Sequence, residues 1–127
     1  MDKPSDILQT WIDGINTADT KKLINLYDDN AVLIPTFSNR ILDTKDKIKE
    51  YFEKVGNKEQ LSIKLHDKTV ICQEIKKELF VLTGIYNWRF AIDEEVFNFE
   101  ARFSYVIDLS KEKPIINHHS SQIPRSL

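Results

Sequence analysis

The sequence has few residues that could stabilise the chain through covalent or metal bonds. Its 127 residues include a single cysteine, Cys72, and three histidines. One thiol excludes an intramolecular disulfide and a zinc site built from cysteines. His118 and His119 are neighbours on a predicted strand, where adjacent side chains face opposite sides of a sheet, so they cannot chelate one ion together. We therefore expect neither a bound metal nor a cofactor.

Long apolar runs and an excess of charge of one sign are also missing. No stretch approaches the roughly 20 apolar residues of a membrane-spanning helix, and the first residues lack the apolar core of a signal peptide. The 18 basic and 20 acidic residues give a net charge of −2. A nucleic-acid-binding domain usually carries a basic patch. We therefore expect a cytoplasmic protein that binds neither nucleic acid nor membrane.

The residues that are present suit one globular domain. Hydrophobic residues make up 41% of the sequence and charged residues 30%, an ordinary balance for a globular protein. A chain of this length can bury roughly two thirds of its unfolded surface and so has a real core. We predict a single domain over residues 1–127.

The apolar spacing predicts two helices, a short strand ended by Pro35, a third helix and then four long strands. Apolar residues recur at helical spacing near residues 8–15, 23–27 and 48–55, and Gly56 is suited to end the third helix. From residue 61 onward the pattern alternates every second residue, most regularly over 97–107. This order predicts an α+β fold with three helices packed on one face of a curved antiparallel sheet.

Four stretches together carry a family resemblance. They are "WIDGINTAD", "LYDDNAVL", "EARFSYVI" and "IINHHSSQIP". The chain resembles the nuclear transport factor 2-like superfamily, which includes ketosteroid isomerases and SnoaL-like cyclases. Within it, the last two stretches are most similar to the association domain of calcium/calmodulin-dependent kinase II. The resemblance implies a cone-shaped fold with a pocket at its open end and homodimers formed through the sheet.

The resemblance also implies a set of pocket residues. The kinase domain has arginines and histidines in its pocket that bind small carboxylates, and Arg102 and Ser120 match two of its pocket positions. Strand alternation places Ser104 on the same face of its strand as Arg102, and His118 on the same face as Ser120. We expect these four to line the cavity, with Arg102 as the anion-binding group. The alternative is that the aromatic face of the strand is the core, with Arg102 at a dimer interface or in solvent.

Four further side chains complete the candidate binding set. Trp11, Tyr27 and Tyr51 lie on predicted helical faces and are mainly core candidates, although either tyrosine could place a hydroxyl in the cavity. His119 is the remaining candidate, on the opposite face from His118. Each of these aromatic positions is also explained by packing alone.

Catalysis by the isomerase mechanism is not expected. Ketosteroid isomerases carry one carboxylate on the first strand and a second on a late strand, but this chain has Pro35 and Thr36 near the first position and Phe103 near the second. Three hypotheses for function remain. The first is a homodimeric module that binds a small molecule, such as a carboxylate. The second is a cyclase, isomerase or dehydratase with His118 or His119 as base, and the third is an oligomerisation domain with a vestigial pocket.

Overall fold

The computed structural model describes residues 3–124 and has the predicted α+β architecture. Three helices come from the first half of the chain: α1 (Pro4–Asn16), α2 (Thr20–Ile24) and α3 (Lys45–Gly56). The six strands are β1 (Tyr27–Ile34), β2 (Ser62–Leu65), β3 (Ile71–Lys76), β4 (Leu79–Ile92), β5 (Glu95–Asp108) and β6 (Ile115–Gln122). None of the helices within residues 3–124 has the length and apolar character needed to cross a membrane.

Local chemistry explains where the two longer helices begin. Pro4 occupies the first turn of α1, where its missing N–H costs nothing. The Thr44 hydroxyl accepts a hydrogen bond from the Lys47 backbone N–H at 3.2 Å and caps α3. Both helices are amphipathic, so each buries one apolar stripe against the sheet.

The six strands form one curved sheet. Its order is β1-β6-β5-β4-β2, and β3 pairs with β4 on the same side as β2. A 3₁₀ turn at Asp67–Thr69 separates β2 from β3. All pairs are antiparallel except β1 with β6, which is parallel. The predicted fold class is confirmed, and this parallel pair is the one departure from the expected antiparallel sheet.

The side chain of Asn16 covers the free edge of β2. Its amide nitrogen donates to the Ile63 carbonyl at 3.1 Å, and its amide oxygen accepts from the Ile63 N–H at 2.7 Å. An unpaired strand edge is a template for unwanted pairing. The Asn16 amide pairs the backbone groups of Ile63 that face away from β4 and fixes the end of α1 against the sheet.

The core lies between the helices and the inner face of the sheet. At its centre the Trp11 ring of α1 stacks on Tyr86 at a centroid distance of 5.3 Å and meets Trp88 edge-on at 5.7 Å. Phe52 of α3 meets Trp11 edge-on at 6.5 Å. These offset and edge contacts are the arrangements that aromatic rings prefer. They bring α1, α3 and the middle of β4 together.

Candidate functional site

The expected placement of Arg102 in the cavity is wrong. Arg102 and Ser104 point to the outer face of β5, while Ala101, Phe103 and Tyr105 are buried on the inner face. The cost of burial explains why the face of β5 with Arg102 points outward. Burying the aromatic rings is favourable, whereas a buried guanidinium without a partner is costly. The alternative in which the aromatic face forms the core is the one observed.

The register of β6 places the two histidines on opposite faces. Ser120 is opposite Phe103 and His118 is opposite Tyr105, so both point inward, where they are 2% and 1% exposed. His119 is exposed on the outer face and its Nε2 lies 2.7 Å from the Ser121 hydroxyl. The structure therefore brings His118 and Ser120 together, but it does not bring them to Arg102 or Ser104.

A chain of buried hydrogen bonds reaches His118 from the helical side. Trp11 Nε1 donates to the Tyr27 hydroxyl at 3.0 Å, and that hydroxyl lies 2.7 Å from His118 Nδ1. Because the Tyr27 oxygen already accepts the indole proton, its own proton is free to go to Nδ1. Three of the candidate residues from the sequence thus form one connected group, although Tyr27 begins β1 and does not lie on the predicted second helix.

The chain continues from His118 toward the end of β1. His118 Nε2 lies 3.2 Å from the Tyr86 hydroxyl, and Tyr86 donates its proton to the Ser120 hydroxyl at 2.7 Å. Tyr86 must therefore accept from Nε2–H, which assigns His118 to the neutral tautomer protonated at Nε2. Ser120 in turn makes a short hydrogen bond with the Thr36 hydroxyl. The six residues Trp11, Tyr27, His118, Tyr86, Ser120 and Thr36 are named the polar chain below.

Burial keeps the polar chain uncharged. Desolvation, with a smaller contribution from the nearby His119, lowers the pKa of His118 to about 3. Burial likewise raises the pKa of Tyr27 and that of Tyr86 well above the usual value for a phenol. At neutral pH each of these groups is neutral, and each is held by the hydrogen bonds of its neighbours. The His118 ring also stacks on Tyr105 at 3.9 Å.

The cone interior has almost no free space. A cavity of about 10 Å³ beside the polar chain is lined in part by Trp88, Tyr51 and Pro35. This is close to the smallest space that holds one water molecule. Trp88 Nε1 is buried without a hydrogen-bond partner in the described part of the chain. A single water accepting from this indole N–H would suit both the size and the chemistry of the cavity.

Tyr51 and Phe37 close the open end of the cone. Tyr51 is half-buried, and its hydroxyl accepts from the Phe37 backbone N–H at 3.3 Å. The Phe37 ring packs edge-on against Trp88 and Phe90, both at 5.2 Å, and against Phe99 at 5.4 Å. The wide end that the resemblance assigns to a pocket is thus occupied by the chain's own aromatic side chains.

Sequence reasoning missed three members of this site. Tyr86 and Trp88 stand in a strand rich in apolar residues, and nothing in that pattern separates a hydroxyl bonded to histidine from ordinary packing. Thr36 follows Pro35 in a loop, and its contact with Ser120 spans 84 positions of sequence. One usable signal was alternation, since Tyr86 and Trp88 are two residues apart and therefore share a face.

The arrangement limits the chemistry that is available. Both ring nitrogens of His118 are hydrogen-bonded, so the ring links β6 to β1 and β4, and through Tyr27 to Trp11 of α1. The adjoining space is too small for an organic molecule in this conformation. Among residues 3–124, no three His, Cys, Asp or Glu side chains come close enough to hold a metal ion.

The fold is that of nuclear transport factor 2-like, cystatin-like proteins. More specifically, the chain belongs to the family of the calcium/calmodulin-dependent protein kinase II association domain, whose model matches residues 5–124. The family predicted from the sequence is confirmed. No curated protein matches the chain by sequence.

Solved structures share this fold. A candidate association domain of this kind from Xanthomonas campestris is 26% identical, with a TM-score of 0.85 over 96% of this chain and 86% of that chain. A candidate dehydratase of the nuclear transport factor 2-like family from Streptomyces avermitilis is 12% identical, with a TM-score of 0.80 over 95% and 94% of the two chains. A candidate scytalone dehydratase from Novosphingobium aromaticivorans is 6% identical, with a TM-score of 0.81 over 94% and 81%. The last two show a shared fold alone.

Proposed function

We propose that this chain is a self-association module that forms a two-fold symmetric homodimer through the outer face of its sheet. The observation that carries the proposal is a broad sheet face that the helices leave uncovered and that mixes β-branched with polar side chains. The name of the matching family, an association domain, points the same way.

The outer face carries its apolar side chains in rows that cross the sheet. One row runs through Ile71, Thr83, Ser104, His119 and Ile34, on five successive strands. These residues are half-buried or exposed, and Ile71 is 62% exposed. Apolar side chains thus stand at both ends of the row with polar ones between them.

A second row lies next to the first. Val81, Val106, Asn117 and Val32 are in register on four strands, and Gln73 continues the row onto β3. Three valines in one row of a solvent-facing sheet are more than solubility requires, and exposed apolar patches commonly mark association sites. The apolar side chains of the two rows, together with Thr83, are named the outer-face patch.

The dimensions of the face suit a stable dimer. Five strands at about 4.8 Å spacing give a width of roughly 20 Å, and the eight to fourteen residues of each of these strands other than β3 give a length of roughly 25–45 Å. That corresponds to an area on the order of 500–900 Å², while a standard interface buries about 800 Å² on each partner. A two-fold dimer uses the same patch on both copies, so this one face is sufficient to form it.

The outward position of Arg102 fits this proposal. Arg102 and Glu100 stand on the outer face of β5, beside the outer-face patch, and Glu100 accepts from His66 Nε2 at 2.9 Å. Charged side chains around a less polar centre are the usual anatomy of a protein interface. Arg102 at a dimer interface was one of the three placements that the sequence left open, beside the cavity and solvent.

Association is better supported than binding of an organic molecule inside the cone. A drug-sized ligand needs a cavity of about 300–1,000 Å³, and the interior space is about 10 Å³. Binding of a small molecule there, and the enzymatic hypothesis based on His118, stay predictions that require the cone to open.

The test is the size of the protein in solution. We expect light scattering at micromolar concentration to give the mass of a dimer or a larger assembly. Val106→Asp should yield a monomer, because two copies of an unpaired carboxylate would face each other in a desolvated contact. Ile92→Asp, which places the same charge at an exposed apolar site at the end of β4, is the matched control and should leave the assembly unchanged. A wild-type monomer, or a Val106→Asp protein with the wild-type mass, would refute the proposal.

A further inference from the structure

A surface groove lies between α3 and the segment that follows β1, on the helical side of the molecule. Its volume is about 290 Å³, near the lower end of the range for ligand sites. It is separate from the outer-face patch and also from the polar chain, none of whose members lines it. Its lining consists of Phe37, Ser38, Arg40, Leu42, Lys47, Glu50, Tyr51, Lys54, Val55 and Lys58.

One face of α3 forms the inner wall of the groove. Its lining residues recur every three or four positions, from Lys47 to Val55, so they share one stripe of the helix, and Lys58 lies just beyond its end. Within the stripe Val55 is buried and Tyr51 half-buried, and Phe37 and Leu42 approach from the opposite wall. The floor is therefore apolar and aromatic, which suits a hydrocarbon group.

The rim of the groove is cationic. Four cations line it against a single carboxylate, Glu50, although the whole chain has a net charge of −2. Two of these cations already have partners, since Lys47 lies 2.9 Å from Asp43 and Lys54 lies 3.4 Å from Glu50. The other two have no ion-pair partner within the described residues.

Those two cations are Arg40 and Lys58. Arg40 is exposed on the segment after β1, and Lys58 follows the end of α3, with its ammonium 4.4 Å from the centre of the Phe90 ring. An aromatic face holds a cation near the groove but does not neutralise it. Both positive charges are therefore available to an anion that rests on the apolar floor.

Tyr51 adds a neutral donor to the same site. Its hydroxyl accepts from the Phe37 N–H, and its own proton has no acceptor within residues 3–124. Burial raises the pKa of this phenol well above its usual value, so it stays protonated. A hydroxyl proton beside unpaired cations is suited to a carboxylate oxygen.

We propose that this groove is a binding site for a small amphiphilic monoanion, namely a carboxylate with a short aliphatic or aromatic tail. The tail rests against Phe37, Leu42 and Val55, and the carboxylate lies between Arg40 and Lys58. The proposal is independent of the dimer, because the groove lies on the helical side and the outer-face patch on the other.

The experiment titrates the ¹⁵N-labelled full chain with octanoate and follows amide chemical shifts. A ligand of this size should bind with a dissociation constant of about 1 mM, with the largest shifts at the amides of Phe37, Tyr51 and Val55. Octanamide tests the charge and should bind about three- to tenfold more weakly. Acetate tests the tail and should bind more than about tenfold more weakly, because it buries none of the methylene groups. Raising the salt concentration should weaken octanoate more than octanamide.

Variants assign the charge to named residues. The double substitution of Arg40→Gln and Lys58→Gln should weaken octanoate by about three- to tenfold and leave octanamide unchanged. Lys21→Gln with Lys22→Gln on α2 removes the same charge away from the groove and is the matched control.

Three results would overturn the proposal. They are equal affinity for octanoate and octanamide, no saturable shift with octanoate, and largest shifts at His118 and Tyr86. The last result would place the ligand inside the cone. If the protein proved to be a monomer, the expected binding of octanoate to the groove would be unchanged.

Discussion

Acidification from pH 7 to pH 5 should destabilise the protein through one side chain, His118. This imidazole is 1% exposed, and both of its nitrogens are engaged by tyrosine hydroxyls. Its pKa in the folded state is lowered to about 3, whereas an unfolded chain titrates histidine near 6.5. Between these two values the unfolded state binds a proton that the folded state does not, so stability falls as the pH falls.

The magnitude depends mainly on the unfolded state. A pH of 5 lies about 1.5 units below the pKa of the imidazole in the unfolded chain. The unfolded imidazole is therefore almost fully protonated at this pH, while the folded imidazole remains neutral. At about 1.36 kcal/mol per unit, the free energy of unfolding should drop by about 2 kcal/mol between pH 7 and pH 5. The value is insensitive to the exact folded pKa as long as that pKa stays well below 5.

Carboxylates do not obscure this window. Ion pairs and hydrogen bonds lower the pKa of Asp29, that of Asp43 and that of Asp108 below their usual value of 3.8. The stability that they contribute is present above that value and is lost only as the pH falls through the folded pKa. Their effect therefore begins below pH 5.

The assay is urea unfolding at pH 5, 6 and 7, at one fixed protein concentration because association would otherwise shift the midpoint. His118→Gln should flatten the pH dependence in this range, whatever its cost at pH 7. His119→Gln removes an exposed imidazole and His66→Gln a half-buried one outside the core, and both variants should retain the drop. In parallel, NMR of the imidazole nitrogens should show His118 neutral and protonated at Nε2 at pH 5.

A pH dependence that persists in His118→Gln and disappears in His119→Gln would refute the reasoning. An NMR titration of His118 with a midpoint near 6.5 would also refute it. Such a midpoint would show that burial does not lower the pKa of this imidazole.

Two further predictions concern the inner face of the sheet. Tyr86→Phe removes the acceptor of His118 Nε2–H and the donor to Ser120, so thermal or urea unfolding should show a loss of about 1–3 kcal/mol; a change below about 0.5 kcal/mol would contradict the polar chain. Gly84 lies under the Phe103 ring, and a Cβ there would meet the ring at 2.8 Å. Gly84→Ala should therefore lower the free energy of unfolding by about 1–3 kcal/mol. In a double-mutant cycle, the same substitution should lower it by less in a Phe103→Leu background.

Much of the fold follows from patterns that are local in the sequence. The helical spacing of Leu8, Trp11 and Ile15 and the alternation from Phe97 to Ile107 specify helices and strands directly, because side-chain direction repeats every 3.6 residues in a helix and every 2 in a strand. Family membership also followed from the sequence, since motifs spread along the chain matched one superfamily.

The candidate site followed only in part. Trp11, Tyr27, His118 and Ser120 were identified and do meet in the core. Arg102 was assigned to the wrong face, because alternation gives two faces and does not say which is inside. A resemblance to a pocket with arginines favoured one face, while the aromatic side chains of the same strand favour the other.

The sequence by itself determined the α+β class, the succession of helices and strands except the division between β2 and β3, and which positions of a strand share a face. Only the tertiary structure decided which face of β5 is buried, that Thr36 reaches Ser120, and that the cone is filled by its own side chains. Those outcomes depend on contacts between residues far apart in the chain, such as Tyr27 with His118, 91 positions away. They are set by how volumes and hydrogen-bonding groups from separate elements fit together, and no local pattern contains that information.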